Sequence, residues 1–228
     1  MTTIKRYVFQ EDEDWKDYRE TVFTASEINR LTAEPSKKAK EAGQELSDGA
    51  ITYIIEKISA RFGNPKFVYK NLEMEHGKDT EPSAALKFCE LLNLNPASDE
   101  VIYTSQGGTV FFSDGIVGGT PDIILPSLKA ICEIKCPNPQ THLYNKCFLT
   151  ELNFRQNYPV YYDQMQLNMY LSEADYGYFF SFDDRFKAEN IQHLTLRIER
   201  DEQRINEILD KASKAHELMN HLINTKLS

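Results

Sequence analysis

Gly119-Thr-Pro-Asp122-Ile-Ile-Leu-Pro126-Ser-Leu-Lys129-Ala-Ile-Cys132-Glu133-Ile-Lys135-Cys-Pro137 is the stretch on which the reading of this 228-residue chain turns. Two short apolar runs flank a Pro126-Ser127-Leu128-Lys129 break, which predicts a β-hairpin. A turn centred between Ser127 and Leu128 sets Asp122 opposite Glu133. Residues opposed in an antiparallel pair have Cβ atoms about 4.5–5.5 Å apart, close enough for one divalent cation to bridge two carboxylates. Strand alternation puts Lys135 on the face of Glu133, while Cys132, Ile134 and Cys136 point the other way. Two acids and a lysine converging on a buried hairpin need a reason, because unpaired charges are rarely buried. Hard oxygen ligands favour magnesium, manganese or calcium over zinc.

The length suits one substantial core, and a single domain spanning residues 1–228 is expected. No apolar run approaches the ~20 residues of a membrane span. The opening Met1-Thr-Thr-Ile-Lys-Arg lacks the apolar stretch of a signal peptide. Cys89, Cys132, Cys136 and Cys147 form no secreted disulfide framework, so a cytoplasmic protein with reduced thiols is expected. A net charge of −9 argues against a surface coated for nonspecific nucleic-acid binding. It leaves room for an enzyme that concentrates cations in a channel and carboxylates around metals.

Residues 12–31 read as two short helices, with Trp15, Tyr18 and Val22 on one stripe and Thr24 or Ser26 capping Ala25 to Leu31. Arg19 and Ser26 there are either a surface arginine and a cap, or an anion site. Residues 32–46, with Lys37, Lys38 and Lys40, read as an exposed loop. From Ser47 a helix is expected with Ile51, Ile54, Ile55, Ile58 and Phe62 inward and Gly63 at its C-terminal cap. Residues 64–80 read as a connection. A helix follows from about Pro82 to Leu92, with Leu86 and Cys89 inward and Glu81 at its start. Strands are expected over Glu100 to Ser105 and Val110 to Ser113, joined by a Gly107-Gly108 turn. A weak helix over 140–150 precedes a helix from Pro159 to Ser172 whose Tyr161, Gln164 and Asn168 share a face that suits a site. Two strands, Tyr176 to Phe182 and Ile191 to Ile198, and a helix from Asp201 to Asn224 close the chain.

Two patterns mislead. His216 and His221 are five apart, so they do not share the face a zinc protease motif needs. Cys132, Cys136 and Cys147 supply no four-cysteine cluster pattern, and Cys132 and Cys136, which alternate away from the acids, read as buried thiols.

Several separated patches line up with one family. They are Trp15 to Glu27, Gly77-Lys78 to Glu81, Thr120-Pro121-Asp122, Glu133-Ile-Lys135-Cys-Pro137, and Tyr161-x-x-Gln164-x-Gln166. In that order they resemble the phage lambda exonuclease family, the alkaline-exonuclease branch of the PD-(D/E)XK nucleases. The resemblance implies an α/β fold, a restriction-endonuclease-like core with a mixed central sheet flanked by helices. It implies 5′-to-3′ digestion of one strand of linear double-stranded DNA, a homotrimer ring and a single-strand annealing partner. It assigns Asp122, Glu133 and the carbonyl of Ile134 as ligands of Mg2+ or Mn2+, two ions per site, with Glu81 a further acid. Lys135 and Gln164 would position the attacking water; Arg19, Ser26 and Thr120 would hold the 5′-phosphate; Met74 would sit at a strand wedge. An endonuclease or resolvase of the same core, and a catalytically silent end-binding protein, are the alternatives. Pro82, directly after Glu81, departs from the family pattern.

Overall fold

The computed structural model describes residues 4–8, 19–63, 72–104 and 109–227. Its centre is a five-stranded mixed sheet of β3 (Ile102–Tyr103), β6 (Ile123–Leu125), β7 (Ala130–Lys135), β8 (Tyr176–Phe182) and β9 (His193–Glu199), in the order β3-β6-β7-β8-β9. Within this sheet β7 and β8 pair in parallel and the other described pairs are antiparallel. A parallel pair needs a crossover, which here carries the helices α3 (Pro139–Phe148) and α4 (Pro159–Ser172). A second sheet joins β1 (Ile4–Val8), β4 (Thr109–Ser113), β5 (Val117–Gly119) and β2 (Phe23–Thr24), with β2 parallel to β5. Helix α4 packs on β5, β7 and β8 and so links the two sheets.

The β6–β7 ladder pairs Ile123 with Cys132, Ile124 with Ile131 and Leu125 with Ala130, the expected register. The break between them is a single 3-10 turn, Pro126–Leu128, closed by Lys129 in the left-handed region at φ 47°. Pleating sorts the side chains of β7. Ala130, Cys132 and Ile134 pack with Ala84, Ala85 and Phe88 of α2 (Leu72–Leu91), whereas Ile131 joins Met165, Met169 and Phe179 under α4. A core helix α1 (Asp48–Arg61), capped by Ser47 and ended by Gly63 at φ +86°, packs on the last helix, α5 (Glu202–Leu222). Arg204 of α5 donates twice to Asp163 of α4, both at 2.7 Å, and Thr32 adds a third bond at 2.8 Å.

Several expectations are corrected. Residues 32–46 hold a short helix, Lys37–Glu41, because Ser36 accepts the Ala39 N–H as an N-cap. The segment from Ala25 is a 3-10 turn followed by a separate helical turn, Asn29–Thr32. The buried face of α1 is Ala50, Tyr53, Ile54, Lys57 and Ile58, and Ile55 and Phe62 are 50% and 61% exposed. The helix expected from Pro82 begins at Leu72 and runs through the proline. Proline removes one helical donor but keeps a helical φ, and the burial of Ala84, Ala85 and Phe88 favours continuity. Leu86, expected inward, is 59% exposed. β3 and β4 do not form a hairpin with each other; they lie in different sheets. Trp15, Tyr18 and the Gly107-Gly108 turn fall outside the described residues.

Candidate active site

Asp122 leads into β6 and Glu133 lies in β7, one ladder step beyond the Ile123–Cys132 pair. Glu133 is 1% exposed. Its Oε1 accepts from Lys135 Nζ and from Gln164 Nε2, both at 2.5 Å, and Asn168 Nδ2 stands 3.5 Å from Oε2. Alternation along β7 aims Glu133 and Lys135 at α4, and the i, i+4 spacing of Gln164 and Asn168 aims both amides back. Tyr161, one turn earlier, puts its ring 5.0 Å from Lys135 Nζ. Asp122 Oδ2 accepts the Ile134 N–H at 2.6 Å, a bond that ties the two strands together at the carboxylates. Glu81 comes from the middle of α2, where its Oε1 accepts from Tyr103 at 3.1 Å.

The electrostatics are those of crowded, buried acids. Burial, and then the charge of Glu133, push the Asp122 carboxyl well above the usual carboxylate range; Lys135 pulls it back and Glu81 adds to the rise. Burial alone would lower the Lys135 ammonium, but Glu133 and Asp122 outweigh it and hold the group above its ordinary range. Burial, then Glu81 and Asp122, push the Cys136 thiol up to about 12, so it stays a thiol at neutral pH. Burial acts the same way on Cys132. A divalent cation would relieve the repulsion that now burdens Asp122. The donors available to it are the two carboxylates and nearby main-chain carbonyls, all hard oxygens. Among the described residues no group of three or more His, Cys, Asp or Glu side chains is arranged to hold a metal.

A second cluster forms around Arg19. Its Nη2 donates to Ser26 Oγ at 3.3 Å, and Ser26 Oγ lies 3.5 Å from Thr24 Oγ1. Thr120 follows β5, which pairs in parallel with β2 through Thr24 and Gly118, so it runs on beside the segment holding Ser26. Its Oγ1 is buried without a hydrogen-bond partner. Between the two clusters stands Gly119. A Cβ there would meet Asn168 Oδ1 at 2.2 Å and Ala25 Cβ at 2.9 Å, so α4 and β5 touch through a glycine. Met74 lies in the first turn of α2, and the wedge expectation concerns a side chain outside the described set.

Asn168 and Tyr161 lie on the polar face of α4 that the sequence directs at a site, and the structure brings both to Glu133 and Lys135. Tyr103 and Lys57 are not expected there from the sequence; Tyr103 reaches Glu81 across 22 residues.

The sequence profile described as "YqaJ-like viral recombinase domain" matches residues 14–175, more than half of the chain. No curated protein matches the sequence. Among solved structures, an alkaline exonuclease from Laribacter hongkongensis superposes with TM-score 0.71 at 24% identity, over 93% of this chain and 95% of that one. A second structure, described as LHK-Exo in complex with dAMP, gives 0.69 at 24% identity, over 95% and 100%. A phage-related exonuclease from Haemophilus somnus 129PT gives 0.72 at 20% identity, over 93% and 99%.

Proposed function

The chain belongs to the family of YqaJ-like viral recombinase domains, and from that premise we propose that it is a metal-dependent 5′-to-3′ exonuclease. It digests one strand of linear double-stranded DNA from a 5′-phosphorylated end and leaves a 3′ single strand for annealing. The observation that carries this is the pair of buried Glu133 and half-buried Asp122, with Lys135 and Gln164 both converging on Glu133.

In this reading Asp122, Glu133 and the Ile134 carbonyl hold magnesium or manganese, two ions per site, with Glu81 close by. When bound, the ions supply positive charge at the scissile phosphate and activate water for attack. Gln164 fixes the Glu133 carboxylate so that one oxygen keeps its place. Lys135, held against Glu133 at 2.5 Å, is placed to bring positive charge to the phosphate. Arg19, Ser26 and Thr120 offer one guanidinium and two hydroxyls, a set matched to a terminal phosphate. A homotrimer ring and a single-strand annealing partner complete the proposal on the resemblance alone. No helix among the described residues is long and apolar enough to cross a membrane.

The test is digestion of a linear duplex bearing one 5′-phosphate, with each strand labelled, in magnesium and in excess chelator. Loss of label from the phosphorylated strand alone, and only with metal, is expected. Cleavage of covalently closed circles would instead assign an endonuclease, and no cleavage at all a silent end-binder.

A further inference from the structure

We propose that Lys57 is a second cation of the terminal-phosphate site, one that both positions Arg19 and adds a charge suited to a phosphate dianion. This rests on the reading of Arg19, Ser26 and Thr120 as that site. Lys57 sits on the buried face of α1, 9% exposed. Its Nζ donates to the main-chain oxygen of Arg19 at 2.5 Å and lies 5.5 Å from the centre of the Tyr53 ring. The Tyr53 hydroxyl accepts the Thr24 N–H at 3.2 Å and stands 3.4 Å from Thr24 Oγ1. Thr24 leads to Ser26, and Ser26 back to the Arg19 guanidinium. Arg19, Ser26, Thr24, Tyr53 and Lys57 thus form a closed circuit of contacts around one place.

A bland account exists for part of this. Residues 19–21 are helical, and a cation against the last carbonyls of a helix is favourable. Arg61, four residues on from Lys57, plays that part with the Thr21 oxygen at 2.5 Å. Helix capping does not explain the rest of the circuit, which runs from Lys57 past Tyr53 and Thr24 to Ser26 and the Arg19 side chain. Among the described residues no carboxylate forms an ion pair with Lys57. The acid nearest in effect is Glu27, which is shared with Arg30 at 3.3 Å. Burial drags Arg19 and Lys57 down, and like charge from Arg19 and Arg61 depresses Lys57 further against the pull of Glu27 and Glu20. Low-dielectric surroundings make a charge costly to keep, and an anion held at this circuit would favour the charged forms of Arg19 and Lys57 together. One that carries two charges gains more than an internal phosphodiester, which carries one.

The experiment uses the full chain with Lys57→Met, Lys57→Arg and Arg19→Ala. Equilibrium binding of a fluorescent duplex with a 5′-phosphate or a 5′-hydroxyl is measured in chelator, and digestion of both in magnesium. Lys57→Met should weaken 5′-phosphate binding roughly ten- to a hundredfold, the size of one charge-assisted hydrogen bond. Binding of 5′-hydroxyl ends should change less than about twofold, with the digestion defect in KM and Lys57→Arg restoring part of it. A merely structural lysine would instead lower the melting temperature and weaken both substrates alike, and that result overturns the inference. Full 5′-phosphate preference in Lys57→Met, with preference lost in Arg19→Ala, rejects Lys57 and leaves the phosphate site standing. Preference unchanged in Arg19→Ala as well rejects the site itself, and the inference with it.

Discussion

Replacing Gly119 by alanine tests whether the two halves of the site meet where the geometry places them. The new Cβ would stand 2.2 Å from Asn168 Oδ1, 2.9 Å from Ala25 Cβ and 3.4 Å from Leu171 Cδ1. Ordinary contact is near 3.5 Å, so the Asn168 amide must retreat by roughly 1 Å. That amide is buried, its Nδ2 faces Glu133 Oε2 at 3.5 Å, and Ala25 blocks the opposite direction of relief. Overpacking of this kind costs about 1–3 kcal/mol. For a chain of this size that lowers the melting temperature by roughly 2–10 °C. A displacement of about 1 Å beside the reacting groups can slow turnover by up to about a hundredfold. Calorimetry and single-turnover digestion of a labelled linear duplex would measure the two effects. The double variant Gly119→Ala/Asn168→Ala removes the obstructing amide, so its stability loss should fall short of the summed single losses by about 0.5–3 kcal/mol. A Gly119→Ala protein with wild-type melting and turnover would refute the argument, as would strict additivity in the double variant.

Three further outcomes are expected. Glu133→Gln keeps the shape but removes the charge that Lys135 and Gln164 address; nucleotide release should fall at least about a thousandfold while the protein stays folded by circular dichroism. Arg204→Ala leaves Asp163 buried without its bidentate partner, so urea denaturation should show a loss of about 3–5 kcal/mol, and an unchanged midpoint would contradict it. Burial holds the Lys57 ammonium down to about 8 against an ordinary value of 10.5, with Arg19 and Arg61 lowering it and Glu27 and Glu20 raising it. Between those pH values the unfolded chain binds a proton that the folded chain has released, so the contribution of Lys57 to stability rises with pH through that window. From pH 7 to 9.5 that contribution is about 2 kcal/mol, read by urea denaturation as the difference in pH dependence between the wild type and Lys57→Met, because the buried Cys132 and Cys136 thiols, raised above their ordinary value, act in the opposite sense; the same pH dependence in both proteins would count against it. Tyr53, pushed up to about 12 chiefly by burial, adds an opposing slope from about pH 10 upward.

How much was legible beforehand differs by element. The hairpin was readable because its information is local: turn residues between two apolar runs set a register, and the register sets Asp122 beside Glu133. Helix α4 was readable for the same reason, since Pro159 starts it and its polar side chains recur at helical spacing. Helix α1 was readable as a helix but not in its orientation. Four isoleucines and Phe62 suggest one face, yet the packed face is turned toward Tyr53 and Lys57. The misplaced start of α2 has the same origin. Proline is a local stop signal, and the gain from packing Ala84, Ala85 and Phe88 onto β7 and β8 lies outside any local window.

By itself, then, the sequence determined which residues bear charge in apolar surroundings and which of them a short turn must bring together. Asp122, Glu133 and Lys135 follow from pleating and a four-residue break, interactions spanning few residues and therefore written in the order of the letters. Only the tertiary structure decided what those residues meet. Gln164 reaches Glu133 across 31 residues, Lys57 reaches Arg19 across 38, and Gly119 must stay bare because Asn168 and Ala25 close on it from two other elements. Such contacts arise from the docking of helices onto sheets, which is driven by summed apolar burial and carries no signature in any one segment.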